Sequence, residues 1–348
     1  MIVSEARDYA RQWVHEDGSR LPGFQGAYFT GSLTWLAEDA VVGAASDVDL
    51  AVVLGGAEAP LKLGKFDYHG ALLEVSFTTF KQLGSAEEIL AKHQVAGAFR
   101  APNVIADPSG RLTELQAAVG SEYAKRAWVE KRCENARKHV LRYVGYMDES
   151  PPFHDAVIIW TFGAGVLAHV LLVAGLKNPT VRLRYLAARE LLADYGLSDF
   201  YPTLLAPLGC ANVSGDDVGR HMPALAEAFD AAAAALTTPV FFASDISAQS
   251  RHIAIDGSRE LIERGDHLEA LHWMLATYAR SQHVLASDAP AAVYDEHDAG
   301  LRALLRECGI ESIADIDARM AEVETLLPRV SAMTQTIMDS NAEIEAQG

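Results

Sequence analysis

Cysteine is scarce in this chain: three residues among 348, at Cys133, Cys210 and Cys308. They lie far apart, which suits a reducing compartment and excludes both a disulfide framework and a zinc-ribbon spacing. Positive charge is also in short supply, with 29 Lys and Arg against 47 Asp and Glu and a formal net charge of -18. So acidic a surface repels polyanions at long range, and no basic stripe with interleaved aromatics is evident, so no nucleic-acid partner is expected. Long apolar runs are nearly absent. The exception is Ala156–Leu176, 21 residues in which His169 is the only ionisable group. Its length would span a bilayer, but the central helix of a bundle has the same composition, and no second such run follows. No membrane partner is expected. The opening MIVSEARDYARQWVHEDG lacks the apolar middle of a secretory signal, and the expectation is a cytoplasmic protein.

What is present changes character along the chain. Up to about residue 110 helical and strand patterns alternate. Residues 3–17 place Ala6, Tyr9, Ala10 and Trp13 on one helical face. Ala27–Thr30 reads as a short strand, Leu33–Ala40 as a short helix, Val41–Ser46 as a loop and VDLAVVL as a buried strand. KLGKFDYHGALLEVSFTTF makes two strands about a His69-Gly70 turn; a helix near Ser85–Lys92 and a strand at NVIAD follow. Beyond residue 110 strand signals nearly vanish. Long helical patterns take over, including Ser247–Leu285 with an expected interruption at Gly257. Pro179 marks one of the helix boundaries, and the last dozen residues are expected to fray. The expected architecture is a mixed α/β domain with a small sheet over residues 1–115, then a mostly α-helical bundle over 116–348. The bundle divides into subdomains at about residue 210.

Asp47 and Asp49 sit one residue apart at the mouth of VDLAVVL, so the period of a strand sends both carboxylates to one face. Two adjacent buried carboxylates repel, and a shared divalent cation relieves them. A third carboxylate is at hand in ALLEVSF, where Glu74 is the one charge in an apolar strand. Upstream, Gly31 permits close backbone approach and Ser32 is suited to start a helix whose amides face an anion. The stretch reads as a phosphate cradle followed by a metal clamp.

Gly31-Ser32, Ser46-Asp47-Val48-Asp49 and Glu74 together resemble the nucleotidyltransferase fold shared by kanamycin- and streptomycin-type adenylyltransferases and by polymerase beta, over roughly residues 20–110. A helical domain after the catalytic one is similar to the antibiotic-modifying members. The resemblance implies that Gly31 and Ser32 hold a nucleoside triphosphate, with ATP the expected donor, while Asp47, Asp49 and Glu74 bind Mg2+. A nucleoside monophosphate then passes to a hydroxyl of a small molecule and pyrophosphate leaves. An aminoglycoside-like cation would suit the acidic composition. The alternatives are a noncatalytic nucleotide-binding or regulatory module that keeps the fold, or an enzyme that nucleotidylates protein.

The chain departs from the family in two places. Fifteen residues separate Ser32 from Asp47, and no Lys or Arg occurs between Arg20 and Lys62. Compensating charge is available in EYAKRAWVEKRCENARKHVLR, where Lys131, Asn135, Lys138 and Arg142 share a helical face. A second cluster holds Arg182, Arg184 and Arg189. Arg184, beside Tyr185, loosely resembles a basic position in the helical domain of some adenylyltransferases and is the expected contact to donor phosphates. Glu74 doubles as a candidate base, with Glu130 behind it. His267, His272 and His283 stand 5 and 11 residues apart, which gives no compact zinc pattern and reads as packing.

Overall fold

The computed structural model describes residues 1–177 and 181–345; Pro179 and residues 346–348 lie outside them. Helix α1 (Val3–Glu16) forms because Val3, Ala6, Ala10 and Trp13 repeat at three- and four-residue spacing and give one apolar stripe. Strands β1 (Phe24–Phe29), β2 (Val48–Leu54), β3 (Gly64–Tyr68), β4 (Ala71–Thr78) and β5 (Val104–Ala106) are the five found among the described residues. They form one sheet in the order β3-β4-β2-β1-β5, with β2 and β4 parallel and the other pairs antiparallel. A tight turn carries β3 into β4, with both His69 and Gly70 at positive φ.

The alternation of β2 divides its side chains between two cores. Leu50 and Val52 pack with Leu73, Val75 and the stripe of α1. Ala51 and Val53 turn the other way, toward Tyr28, Phe99 and the short helices α2 (Phe80–Leu83) and α3 (Ala86–Ala91), with Leu112 and Val119 of α4 (Arg111–Glu122). Asp47 and Asp49 have the parity of this second face.

From α5 (Arg126–Tyr146) onward the chain is helical. The remaining helices are α6 (Phe153–Ala174), α7 (Arg184–Asp194), α8 (Tyr201–Leu205), α9 (Gly215–Gly219), α10 (Met222–Ala235), α11 (Gly257–Glu263), α12 (His267–Asp288), α13 (Ala291–Glu307) and α14 (Ile313–Ser340). α6 is the one described helix long and apolar enough to cross a membrane, and 83% of its most apolar window is buried inside the protein. It packs against α7, α12 and α14. Gly163 brings α6 close to α14, since a Cβ there would stand 3.0 Å from Met320 Cε. Trp160 is fully buried on the same helix and its Nε1 donates to the Pro207 carbonyl at 2.9 Å.

Four features differ from the sequence expectation. First, the compact units are Met1–Asn135 with the chain end from Ala342, and Ala136–Asn341, so the division falls within α5 and not at residue 115, and residues 136–341 are one unit. Second, the tail does not fray up to Glu345, which exchanges backbone hydrogen bonds with Ala124 and Arg126 while Glu343 pairs with Arg100. Third, the long pattern over Ser247–Leu285 is interrupted beside Gly257 as expected, by the π-helical segment His252–Asp256, but it also breaks at Gly265 (φ 88°), where αL geometry favours glycine. Fourth, Leu33–Ala40 holds a single 3-10 turn, Ser32–Thr34, in place of a helix. The carbonyls of Glu38 and Ala40 instead accept from the amides of Ser4 and Val3, both at 2.9 Å. They satisfy the otherwise open donors of the α1 N-terminus.

Trp160 gives the test of the bundle core. Trp160→Phe should cost about 1 kcal/mol for the lost hydrogen bond, and Trp160→Ala about 3–5 kcal/mol for the cavity, both read by urea unfolding. Equal losses would mean that the indole packing does not hold the bundle.

Candidate metal and phosphate site

The register of the parallel pair sets Asp49 of β2 directly across from Glu74 of β4, and Asp47 lies one residue ahead of β2. One ligand oxygen from each of the three carboxylates lies within 4.8 Å of the others. Gly31 closes the group from the end of β1. Its φ is 68°, and a Cβ on it would overlap the Asp49 carboxylate, so glycine is required both by conformation and by space. Thr30 N donates to Asp49 O at 2.9 Å and fixes that approach. Ser32 opens the 3-10 turn, which Thr34 Oγ1 ties back to the Gly31 carbonyl at 2.7 Å. A turn of three residues has no helix dipole to offer, so any anion at Ser32 would rely on its hydroxyl and local amides.

Two cations enter the group that the sequence reading did not assign. Lys65 of β3 stands opposite Glu74 in the hairpin register; its Nζ lies 2.8 Å from Glu74 Oε2 and 3.2 Å from Asp47 Oδ2. Lys62 Nζ lies 2.6 Å from Glu74 Oε1. The available signal was period two on the hairpin: counting back across His69-Gly70 pairs residue 65 with 74. A third cation, Arg7 of α1, donates to the Leu33 carbonyl beside the turn.

The three acids hold their protons differently. Burial raises Asp49 well above the usual carboxylate range, reinforced by the charges of Asp47 and Glu74. Burial also raises Asp47, against the pull of Lys65. For Glu74 burial acts upward too, but Lys65 and Lys62 outweigh it and hold its carboxyl down at about 2. The set therefore pairs two aspartates pushed upward by burial with a glutamate held down by two lysines.

Oxygen donors converging from two rigid strands suit a hard divalent cation, and the raised Asp49 is the mark of a cluster short of positive charge. The residues fit Mg2+. Lys65 already meets part of that need.

The other expected residues fall elsewhere. Arg184 is buried in the helical unit, 3% exposed, and makes no ion pair with Glu190 among the described residues. Its Nε donates to Val181 O at 3.0 Å, its Nη1 is buried without a hydrogen-bond partner, and burial lowers it to about 10. Nη1 lies with His272 Nε2 against the bare Gly165, where a Cβ would stand 2.5 and 2.6 Å from them. Arg189 is held by Asp266 and Glu269. On α5, Lys131 stacks on Trp128, Asn135 accepts from His93 N, and Arg132 is buried, donating to Leu90 O and Tyr123 O. Glu130 pairs with Arg126 near the surface. His267 bonds to backbone carbonyls of Gly265 and Val213. His283 pairs with Asp155.

No protein-family model matches this chain, and no curated protein matches it.

Two measurements follow from the charges. Asp49→Asn should stabilise the metal-free protein, because it removes a buried carboxylate that Asp47 and Glu74 disfavour, and remove most Mg2+-dependent stabilisation in thermal melts; destabilisation without metal would contradict the repulsion. Glu74 has a lowered folded pKa, so its contribution is present above its unfolded pKa of about 4.3 and is lost as pH falls toward about 2. Lys62→Met with Lys65→Met should move that acid loss to higher pH, and an unchanged acid profile would refute the assignment.

Proposed function

We propose that the protein is a magnesium-dependent nucleotidyltransferase that moves a nucleoside monophosphate from a nucleoside triphosphate, ATP by preference, to a hydroxyl of a small molecule. The observation that carries this reading is the convergence of Asp47, Asp49 and Glu74 on one end of a parallel strand pair, closed by a glycine that only a bare backbone position can satisfy.

Asp47, Asp49 and Glu74 would hold the divalent ion, which when bound supplies Lewis-acid polarisation of the phosphoryl oxygens. A divalent ion held there would favour the ionised form of Asp49, against the burial and the charges of Asp47 and Glu74 that raise it. Lys62 and Lys65 keep Glu74 ionised and are the ammonium donors suited to phosphoryl oxygens as charge shifts toward the leaving pyrophosphate. Gly31 leaves the Asp49 carboxylate uncovered, and the Ser32 hydroxyl is a hydrogen-bond donor for the triphosphate. Glu74 and Asp49 are the carboxylates available to take the acceptor hydroxyl's proton. The acceptor class rests on composition: the net charge of -18 favours a cationic molecule of the aminoglycoside kind.

A second reading, a noncatalytic nucleotide-binding or regulatory module, is favoured by one observation. Lys65 bridges Asp47 and Glu74, so part of the cluster is neutralised from within the chain.

Incubation of the purified protein with Mg2+, the four ribonucleoside triphosphates and a panel of hydroxyl acceptors separates the two. The expected result is transfer that falls by about 10²-fold or more in Asp47→Asn, with folding retained. Equal transfer by both proteins rejects the metal mechanism. Nucleotide binding without turnover favours the module, and label appearing on polypeptide identifies a protein acceptor.

A further inference from the structure

The helical unit contains a second convergence of ligand atoms. His154 and Asp155 occupy the first turn of α6, and His283 lies near the end of α12, which packs against α6. His283 Nδ1 lies 2.7 Å from Asp155 Oδ1, and His154 Nε2 lies 3.7 Å from the same oxygen. One ligand atom from each residue falls within 4.8 Å of the others. A tetrahedral zinc with bonds of about 2.1 Å separates its ligand atoms by about 3.4 Å, so modest side-chain rotation brings the three into range.

A hydrogen-bonded His283–Asp155 pair alone would account for one histidine and leave the other unexplained. His154 is 8% exposed, and its Nδ1 is buried with no hydrogen-bond partner among the described residues. Asp298 of α13, whose charge acts on His154, also has a buried oxygen, Oδ1, without a partner. Tyr294 and Phe242 wall the group, with ring centroids 6.0 Å from His154 and 5.5 Å from His283 respectively. The group thus brings two imidazoles and one carboxylate within ligand range, with a buried ring nitrogen of His154 left without a protein partner among the described residues.

We propose that His154, Asp155 and His283 form a zinc site that joins the first turn of α6 to the end of α12, with water in the fourth position. Two imidazoles select a borderline-soft ion over magnesium, which takes oxygen ligands. Tyr294 and Phe242 flank the two imidazole rings. The site shares no residue with the Asp47 carboxylate group and stands or falls independently of it.

The test uses the full chain, stripped of metal with a chelator and titrated with Zn2+ by calorimetry. The expected result is one zinc per chain, a raised thermal midpoint with zinc, and affinity at least about 10-fold weaker in His154→Ala and in His283→Ala. Asp47→Asn, which alters the carboxylate group, reports any zinc taken up there instead. Where an alanine variant fails to fold, His154→Gln and His283→Gln serve instead. X-ray absorption on the wild-type zinc complex, which needs no variant, should show two imidazoles with oxygen ligands. Absence of zinc binding by the wild type, retention in both histidine variants, loss in Asp47→Asn, or an all-oxygen or sulfur-containing shell would each overturn the proposal.

Discussion

Like charges held face to face across β2 and β4 govern the first unit. The pairing of Val48 with Leu73 and of Leu50 with Val75 buries apolar side chains toward α1, and the same register leaves Asp49 and Glu74 no choice but to oppose each other. Slipping the register by one residue would relieve the repulsion but turn the apolar set of β4 away from its core. Hydrophobic burial therefore enforces an electrostatic conflict. The surrounding residues answer it with Lys62 and Lys65 on Glu74, while burial and the neighbouring charges push Asp49 upward.

Much of that arrangement was legible in the sequence because strands have a strict period. Asp47, Asp49 and Glu74 could be placed on a shared face from spacing alone, and Gly31 could be marked as a point of close approach. Lys65 was not found, because its role depends on hairpin register and not on its own neighbourhood in the chain. The segment after Ser32 misled for a different reason. Its apolar Leu33, Trp35 and Leu36 read as helix, yet the carbonyls of Glu38 and Ala40 are committed to the amides of α1, a demand made by a distant part of the chain. Local propensity lost to hydrogen-bond accounting.

In the helical unit the apolar pattern located the helices well and the polar residues poorly. Arg184 was read as a contact to donor phosphates and is buried, because the bare Gly165 on α6 admits it beside His272. His283 was weighed against His267 and His272 along one helix, whereas its partner Asp155 is 128 residues away in sequence. Chemistry assembled from separate helices leaves no spacing signature.

The first unit is discontinuous: its strands come from the first third of the chain, but Arg100, Ala124 and Arg126 find their partners at Glu343 and Glu345. On a ribosome the sheet can pair long before those residues exist. At ordinary elongation rates of about 5–20 residues per second, they arrive on the order of ten seconds or more after α4 has emerged. During that interval the end of α4 and the start of α5 lack these pairings. Glu343 and Glu345 thus act as a latch that the growing chain gains only once synthesis has passed them.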